Sequence, residues 1–173
     1  MEWKGRVLTV DPAAASEVAD VVGVLNDAAT WLAGREVKQW PARFAEPPVA
    51  AAIARGFVWL ARLDGEVAAT LTIDWADPLW GPDDAAAGYL HRFAVRRGAA
   101  GLGRELLGWA VEQVRARDRR RLRLDCVAHN RRLRDYYEAA GFGHCRDIEV
   151  GGGPGQRKTT GPMTLVSLYE KRL

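Results

Sequence analysis

Cysteine is scarce in this chain: Cys126 and Cys145 are the only two in 173 residues. Their spacing makes neither a metal-ligand pattern nor a disulfide framework. Cys126 falls in an apolar strand pattern and reads as an inert core thiol. No secretory leader is expected, and no apolar run is long enough to span a bilayer. The expectation is a cytoplasmic, reducing setting with no membrane contact. Charge of one sign is lacking as well. Lys and Arg number 25 against 22 Asp and Glu, a net charge of +3. Arginines cluster from Arg115 to Arg123 and recur at Arg131, Arg132 and Arg134. With no nucleic-acid motif beside them, they read as a solvated helix end and loop, and no nucleic-acid partner is expected. Internal repeats are absent too. An apolar fraction of 48% with 27% charged residues remains, an ordinary globular balance that fits one domain over residues 1–173.

The punctuation of the chain is clear. Arg6–Val10 is a short β-type run, and Asp11-Pro12 reads as the start of a helix, with Asp as cap and Pro in the first turn. Apolar residues at Val18, Val21, Val22, Leu25, Ala28, Ala29 and Leu32 keep helical spacing until Gly34. Pro47-Pro48 opens a second, short helix to about Ala54. Phe57–Leu63 and Val67–Trp75 are strands joined by Asp64-Gly65, a strong hairpin signal. A loop from Ala76 to Ala87 carries Asp77, Asp83 and Asp84. Strands follow at Tyr89–Arg96, Leu122–Ala128, Phe142–Val150 and Met163–Tyr169, with helices after Gly103 and Asn130 and a glycine-rich stretch over 151–161. The strand–helix–strand crossover requires parallel strands in part of the sheet if the two are neighbours. A mixed sheet covered on both faces is expected.

The stretch with most chemical content is Gly98-Ala-Ala-Gly-Leu-Gly103, set between a strand and an amphipathic helix. First-turn helix N–H groups lack intrahelical partners, and the helix dipole turns its positive end toward the loop. Glycines let a ligand approach the backbone. The loop is therefore a candidate phosphate site. It lacks the Gly-Lys-Ser/Thr ending of an NTPase loop, which argues against a nucleotide-binding α/β protein.

Three features together resemble the GCN5-related N-acetyltransferase (GNAT) superfamily: the strand, glycine loop and helix; Asn130 seven residues before Tyr137; and Tyr137-Glu-Ala-Ala-Gly-Phe142. The first is similar to the family signature Arg/Gln-x-x-Gly-x-Gly/Ala. It departs from that signature because Gly98 fills the Arg/Gln slot, Arg97 comes one position early, and the approach from Val95 is about two residues short. The resemblance implies an α/β fold with a central mixed, mostly antiparallel sheet of six to seven strands and helices on both faces. It implies acetyl-CoA as cofactor, with CoA as product and no metal. The amides of Ala100, Gly101, Leu102, Gly103 and Arg104 would hold the pyrophosphate, with Arg97 or Arg104 neutralising charge. Phe93, Ala94 and Val95 would pair through their backbone with the pantetheine arm. Asn130 would touch that arm, although it also reads as a plain N-cap.

Tyr137 would be the general acid that protonates the departing thiolate; its alternative is a core aromatic at helical spacing. Tyr136 reads as packing. Candidates for the base are His91, Asp74 and Asp125, His being suited to proton transfer near neutral pH; many family members work through water instead. Trp31, Gln39 and Trp40 are candidate walls of an acceptor pocket, with Asp77, Asp83 and Asp84 able to attract a cationic amine. The expected activity is acetyl transfer to a primary amine of a small molecule by direct attack in a ternary complex. A silent acyl-CoA-binding domain and acetylation of a protein or peptide amine are the alternatives. A homodimer accords with family habit.

Overall fold

The computed structural model describes residues 1–82, 85–152 and 162–173. Asp83, Asp84 and residues 153–161 of the glycine-rich stretch lie outside the described residues.

Among the described residues, eight strands form one sheet: β1 (Glu2–Trp3), β2 (Arg6–Pro12), β3 (Val58–Leu63), β4 (Glu66–Asp74), β5 (Ala87–Val95), β6 (Arg121–Val127), β7 (Gly143–Gly151) and β8 (Met163–Arg172). Their spatial order is β1-β2-β3-β4-β5-β6-β8-β7. Only the β5–β6 neighbours run parallel; the other pairs are antiparallel. The α-helices among the described residues are α1 (Val18–Ala33), α2 (Glu46–Ala54), α3 (Leu102–Arg115) and α4 (Arg131–Ala139).

The alternation of β3 shows how the layers form. Val58 and Leu60 pack with Val21 and Leu25 of α1 and with Val49 and Ile53 of α2. Ala61 and Leu63 face the other way and pack with Leu102 and Leu106 of α3. Trp59, on that second face, meets Trp109 of α3 edge-on at 4.9 Å. Burying a Leu-sized side chain contributes roughly 1.5–3 kcal/mol. The stripe Leu102, Leu106, Leu107, Ala110, Val111 and Val114 therefore holds α3 against the sheet. Tyr137 of α4 joins the same core cluster as Leu107 and Val111. The expected sheet with helices on both faces is found.

Three expectations change. Among the described residues the sheet has eight strands, the added one being β1, whose two residues are too few to show an alternation. Asp11-Pro12 does not begin a helix. β2 continues through it, with Asp11 opposite Leu60 and Pro12 opposite Trp59. A proline at a strand end forfeits one donor and little else. The chain then turns through a 3₁₀ segment, Ala15–Glu17, where the Glu17 carboxylate accepts the Ala14 amide at 2.7 Å. Lastly, part of the arginine run is structural. Arg117 and Arg119 stack on Trp75, with Cζ 4.4 and 5.1 Å from the ring centre. Buried Arg123 donates to Glu170 at 2.9 Å and to the Tyr89 hydroxyl at 3.3 Å. Among the described residues, no helix is long and apolar enough to cross a membrane.

Candidate functional site

The site begins with a defect in the sheet. Thr70 of β4 pairs with Ala94 and Thr72 pairs with His91, so β5 carries one residue more than β4 over this interval. Arg92 lies in this bulge with φ at 47°. Bulges bend and twist the strand that carries them. The β5–β6 ladder ends at Leu90↔Leu124. Beyond that point β5 stays with β4 as far as Ala69↔Val95, while β6 stays with β8 as far as Val127↔Val166. The two parallel strands therefore part, and Phe93, Ala94 and Val95 run along one side of the opening. Ala94 is buried with α1 and α2, whereas Phe93 and Val95 pack toward α3. An extended ligand can add to such an edge as a strand would.

At the far end of β5 the chain makes a 3₁₀ turn, Arg97–Ala99, and enters α3 through Gly101. Gly101 has φ 98° and ψ −18°, a left-handed conformation that side chains disfavour. The helix starts at Leu102, two residues before the point its periodicity suggests, which places Leu102, Gly103 and Arg104 in the first turn. No side chain caps this helix. Buried Ala99 and Leu102 anchor the loop, while Arg97, Gly98, Ala100, Gly101 and Arg104 are exposed. Arg96 turns away to α1 and pairs with Asp27 at 2.6 Å. A Cβ on Gly98 would meet nothing within 4 Å. On Gly103 it would lie 2.7 Å from the Tyr136 hydroxyl and 3.6 Å from Phe93 Cζ. On Gly101 it would lie 3.8 Å from both Lys4 Nζ and Trp3 Cζ2. The β1–β2 turn and Tyr136 thus flank the glycine loop, which the sequence reading misses.

The first turn of α4 is a different construction. The Asn130 side-chain oxygen accepts the Leu133 amide at 3.3 Å, which is the N-cap role. Its amide nitrogen donates to Gln39 Oε1 at 3.2 Å, and the same oxygen accepts the Val127 amide at 3.2 Å. Gln39 therefore ties the end of β6 to the start of α4. Tyr137 is 6% exposed. Its ring meets Tyr136, Phe142 and Tyr169 at centroid distances of 5.5, 5.8 and 6.4 Å. Burial drives its phenol far above the ordinary tyrosine value, so it keeps its proton at neutral pH. Burial also pushes the Cys126 thiol up to about 12, in keeping with an inert core residue.

Beside the strand opening lies a cavity of about 410 Å³. Gln39, Trp40, Phe44, His91, Asp74, Asp77 and Asp125 are among its walls. His91 Nε2 is 3.8 Å from Asp74 and 3.5 Å from Asp77, and its Nδ1 is 3.8 Å from Asp125. All three candidate bases therefore converge. Asp77, although it lies in the loop after β4, is 4% exposed and caps its own 3₁₀ turn by accepting the Leu79 amide at 3.0 Å. Asp77, His91 and Asp125 place one ligand-type atom each within 4.8 Å of one another. Trp40 meets Phe44 edge-on at 5.4 Å in the aromatic wall. Trp31 is not brought to the cavity: it is one end of a stack with Arg35, 4.5 Å from its ring centre.

Comparison with known proteins follows the same outline. A family model described as the Acetyltransferase (GNAT) family matches residues 25–142. The uncharacterized N-acetyltransferase YesJ of Bacillus subtilis strain 168 is 32% identical over 142 residues, covering 76% of this chain and 79% of that protein. A GNAT-family acetyltransferase structure from Listeria monocytogenes superposes with TM-score 0.76 at 25% identity, over 100% of this chain and 99% of the other. The Salmonella typhimurium protein yncA, solved with its cofactor acetyl-CoA, has the same fold, with TM-score 0.69 at 16% identity over 96% and 94% of the two chains.

Proposed function

The chain belongs to the GNAT family of acetyltransferases, and on that premise we propose that it transfers the acetyl group of acetyl-CoA to a primary amine of a small molecule. The observation that carries the reading is the continuity of the site. The β5–β6 opening has an uncapped helix start at one end and a polar cavity at the other. The residues fit an extended ligand with an anionic end. Gly101 admits close approach and the first-turn amides of α3 have no side-chain cap.

Acetyl-CoA supplies an acetyl group already activated as a thioester. The amides of Gly101, Leu102, Gly103 and Arg104 bind the diphosphate. Backbone groups of Phe93, Ala94 and Val95 orient the pantetheine arm along the opening. His91 accepts a proton from the acceptor ammonium, directly or through one water, and the carboxylates of Asp74, Asp77 and Asp125 steady the resulting imidazolium. Those carboxylates favour a cationic acceptor, with Arg55 and Arg92 on the same walls offsetting part of the charge. The Tyr137 hydroxyl holds the proton offered to the leaving sulfur. Its raised pKa keeps it a donor but makes complete transfer costlier, so its main contribution is a donated hydrogen bond. Asn130 and Gln39 fix the position of α4, and therefore of Tyr137. The need for acetyl-CoA suits a cytoplasmic location.

The test is release of the CoA thiol from acetyl-CoA with a panel of diamines, amino sugars and amino acids. At least one amine should support turnover, which falls in His91→Ala and in Tyr137→Phe. CoA binding with no release for any amine would instead indicate a binding module; failure to bind CoA would refute the whole reading.

A further inference from the structure

The glycine loop lacks the side chain that the family signature places at its start, since Gly98 stands there. Two polar groups from elsewhere in the chain come to the same helix start. Lys4 and Gly5 form the turn between β1 and β2, with φ of 50° and 75°. The turn is well held. Trp3 packs with the cluster containing Ala99, Leu102 and Leu106. The Met1 and Leu8 backbones exchange hydrogen bonds of 2.8 and 2.9 Å. Arg6 donates to Asp64 at 2.7 Å, and the Val7 amide donates to the same carboxylate at 2.9 Å. The turn is thereby pinned to the β3–β4 hairpin. Lys4 Nζ lies 4.6 Å from the Trp3 ring centre, which aims the ammonium along the loop. It stands 3.8 Å from the position of a Cβ on Gly101. Among the described residues no carboxylate pairs with it. On the other flank, the Tyr136 hydroxyl lies 2.7 Å from a Cβ position on Gly103.

We propose that Lys4 and Tyr136 complete the phosphate site of the glycine loop, Lys4 as a cation for the diphosphate and Tyr136 as a hydroxyl donor. This rests on the acetyl-CoA reading above. Backbone amides supply direction but little net charge, and a diphosphate brings two negative charges into the opening. An ammonium held beside Gly101 supplies neutralisation that the loop's own sequence omits. The N-terminal hairpin is thus part of the cofactor site. Anchoring of the turn before the ligand arrives lowers the ordering cost of the contact.

The experiment is calorimetric titration of CoA into wild type, Lys4→Met, Lys4→Arg and Tyr136→Phe at low and moderate salt. Met keeps the aliphatic stem on Trp3 and removes the charge. Lys4→Met is expected to weaken CoA binding about fivefold to tenfold, as befits one partly exposed charge-assisted contact. Its affinity should fall less steeply with salt than that of wild type, and Lys4→Arg should recover most of the loss. Tyr136→Phe should cost about threefold. Acetyl-pantetheine, which carries no phosphate, should be used equally well by wild type and Lys4→Met. Equal CoA affinity and equal salt slope in wild type and Lys4→Met would overturn the role of Lys4, as would an equal loss with acetyl-pantetheine. A wild type that binds no CoA would overturn the underlying acetyl-CoA reading instead.

Discussion

Helices α3 and α4 lie on the same face of the sheet and begin in opposite ways. The first turn of α4 is closed by its own chain: Asn130 accepts the Leu133 amide and is itself held by Gln39. Asn130 is buried, as is Gln39. The first turn of α3 begins at a glycine with no side chain to offer, in an exposed loop. Helix starts need their amides satisfied. One that satisfies itself is a joint, and one that does not is prepared for an outside acceptor. The same physical need thus separates a closed helix start from an open one on the same face of the sheet.

The sharpest way to break the comparison is at Gly101. Gly101→Val puts a β-branched residue at φ 98° beside Trp3 and Lys4. It should lower CoA affinity by roughly two orders of magnitude or more and stability by about 1–2 kcal/mol. Gly98→Ala is the control, since its methyl meets nothing; its affinity for CoA should match that of wild type. Calorimetry and urea denaturation read both variants.

Tyr137→Phe probes the chemistry that α4 contributes. Turnover should fall about 10- to 100-fold, in the usual range for acid–base contributions, while CoA affinity stays within twofold. An unchanged rate would remove Tyr137 from the mechanism and leave it as core packing.

Asn130→Ala addresses the joint. Loss of a cap typically costs about 1 kcal/mol, and the orphaned Gln39 adds to it. The expected loss is about 1–2 kcal/mol in urea denaturation, with CoA affinity little changed. A large drop in CoA affinity in the still-folded variant would show that Asn130 also reaches the pantetheine arm.

The smallest effect concerns alkali. Burial raises the pKa of Tyr137, and also of Tyr136, Tyr169 and Cys126. A raised folded pKa gives a contribution fully present below the unfolded value, about 8.5 for a thiol and about 10 for tyrosine, and lost as pH rises beyond it. The urea midpoint should therefore begin to fall above about pH 8.5 through Cys126 and fall further above about pH 10, the second phase being less steep in Tyr137→Phe. Identical slopes in the two proteins would contradict burial of the phenol.

The elements that announced themselves in sequence are those fixed by neighbours in the chain. Asp64-Gly65 adopts the left-handed pair its hairpin needs, with φ of 51° and 86°. Pro47 and Pro48 sit in the first turn of α2, and Gly141 follows α4 with φ 86°. What was illegible depends on distant partners. Gln39 reads as an acceptor-pocket residue, and it does line the cavity, but its side chain bonds Val127 and Asn130 far along the chain. Lys4 sits in the turn after β1, a strand too short to leave a pattern. Trp31 reads as a pocket wall because it is large, aromatic and near Trp40 in sequence, yet it stacks on its helical neighbour Arg35. The convergence of His91 with three carboxylates needed both the β5 bulge and the turn at Asp77. The bulge has no local signature in the sequence, whereas Asp77-Pro78 carries the cap-and-proline pair that fails as a helix start at Asp11-Pro12.

The most direct test of the central claim is a backbone amide NMR titration with acetyl-CoA. Large shifts are expected for Gly101, Leu102, Gly103 and Arg104, with the Arg131 and Arg132 amides at the self-capped start of α4 nearly unmoved. Binding that leaves residues 101–104 unshifted, or moves the start of α4 as strongly, would contradict that claim.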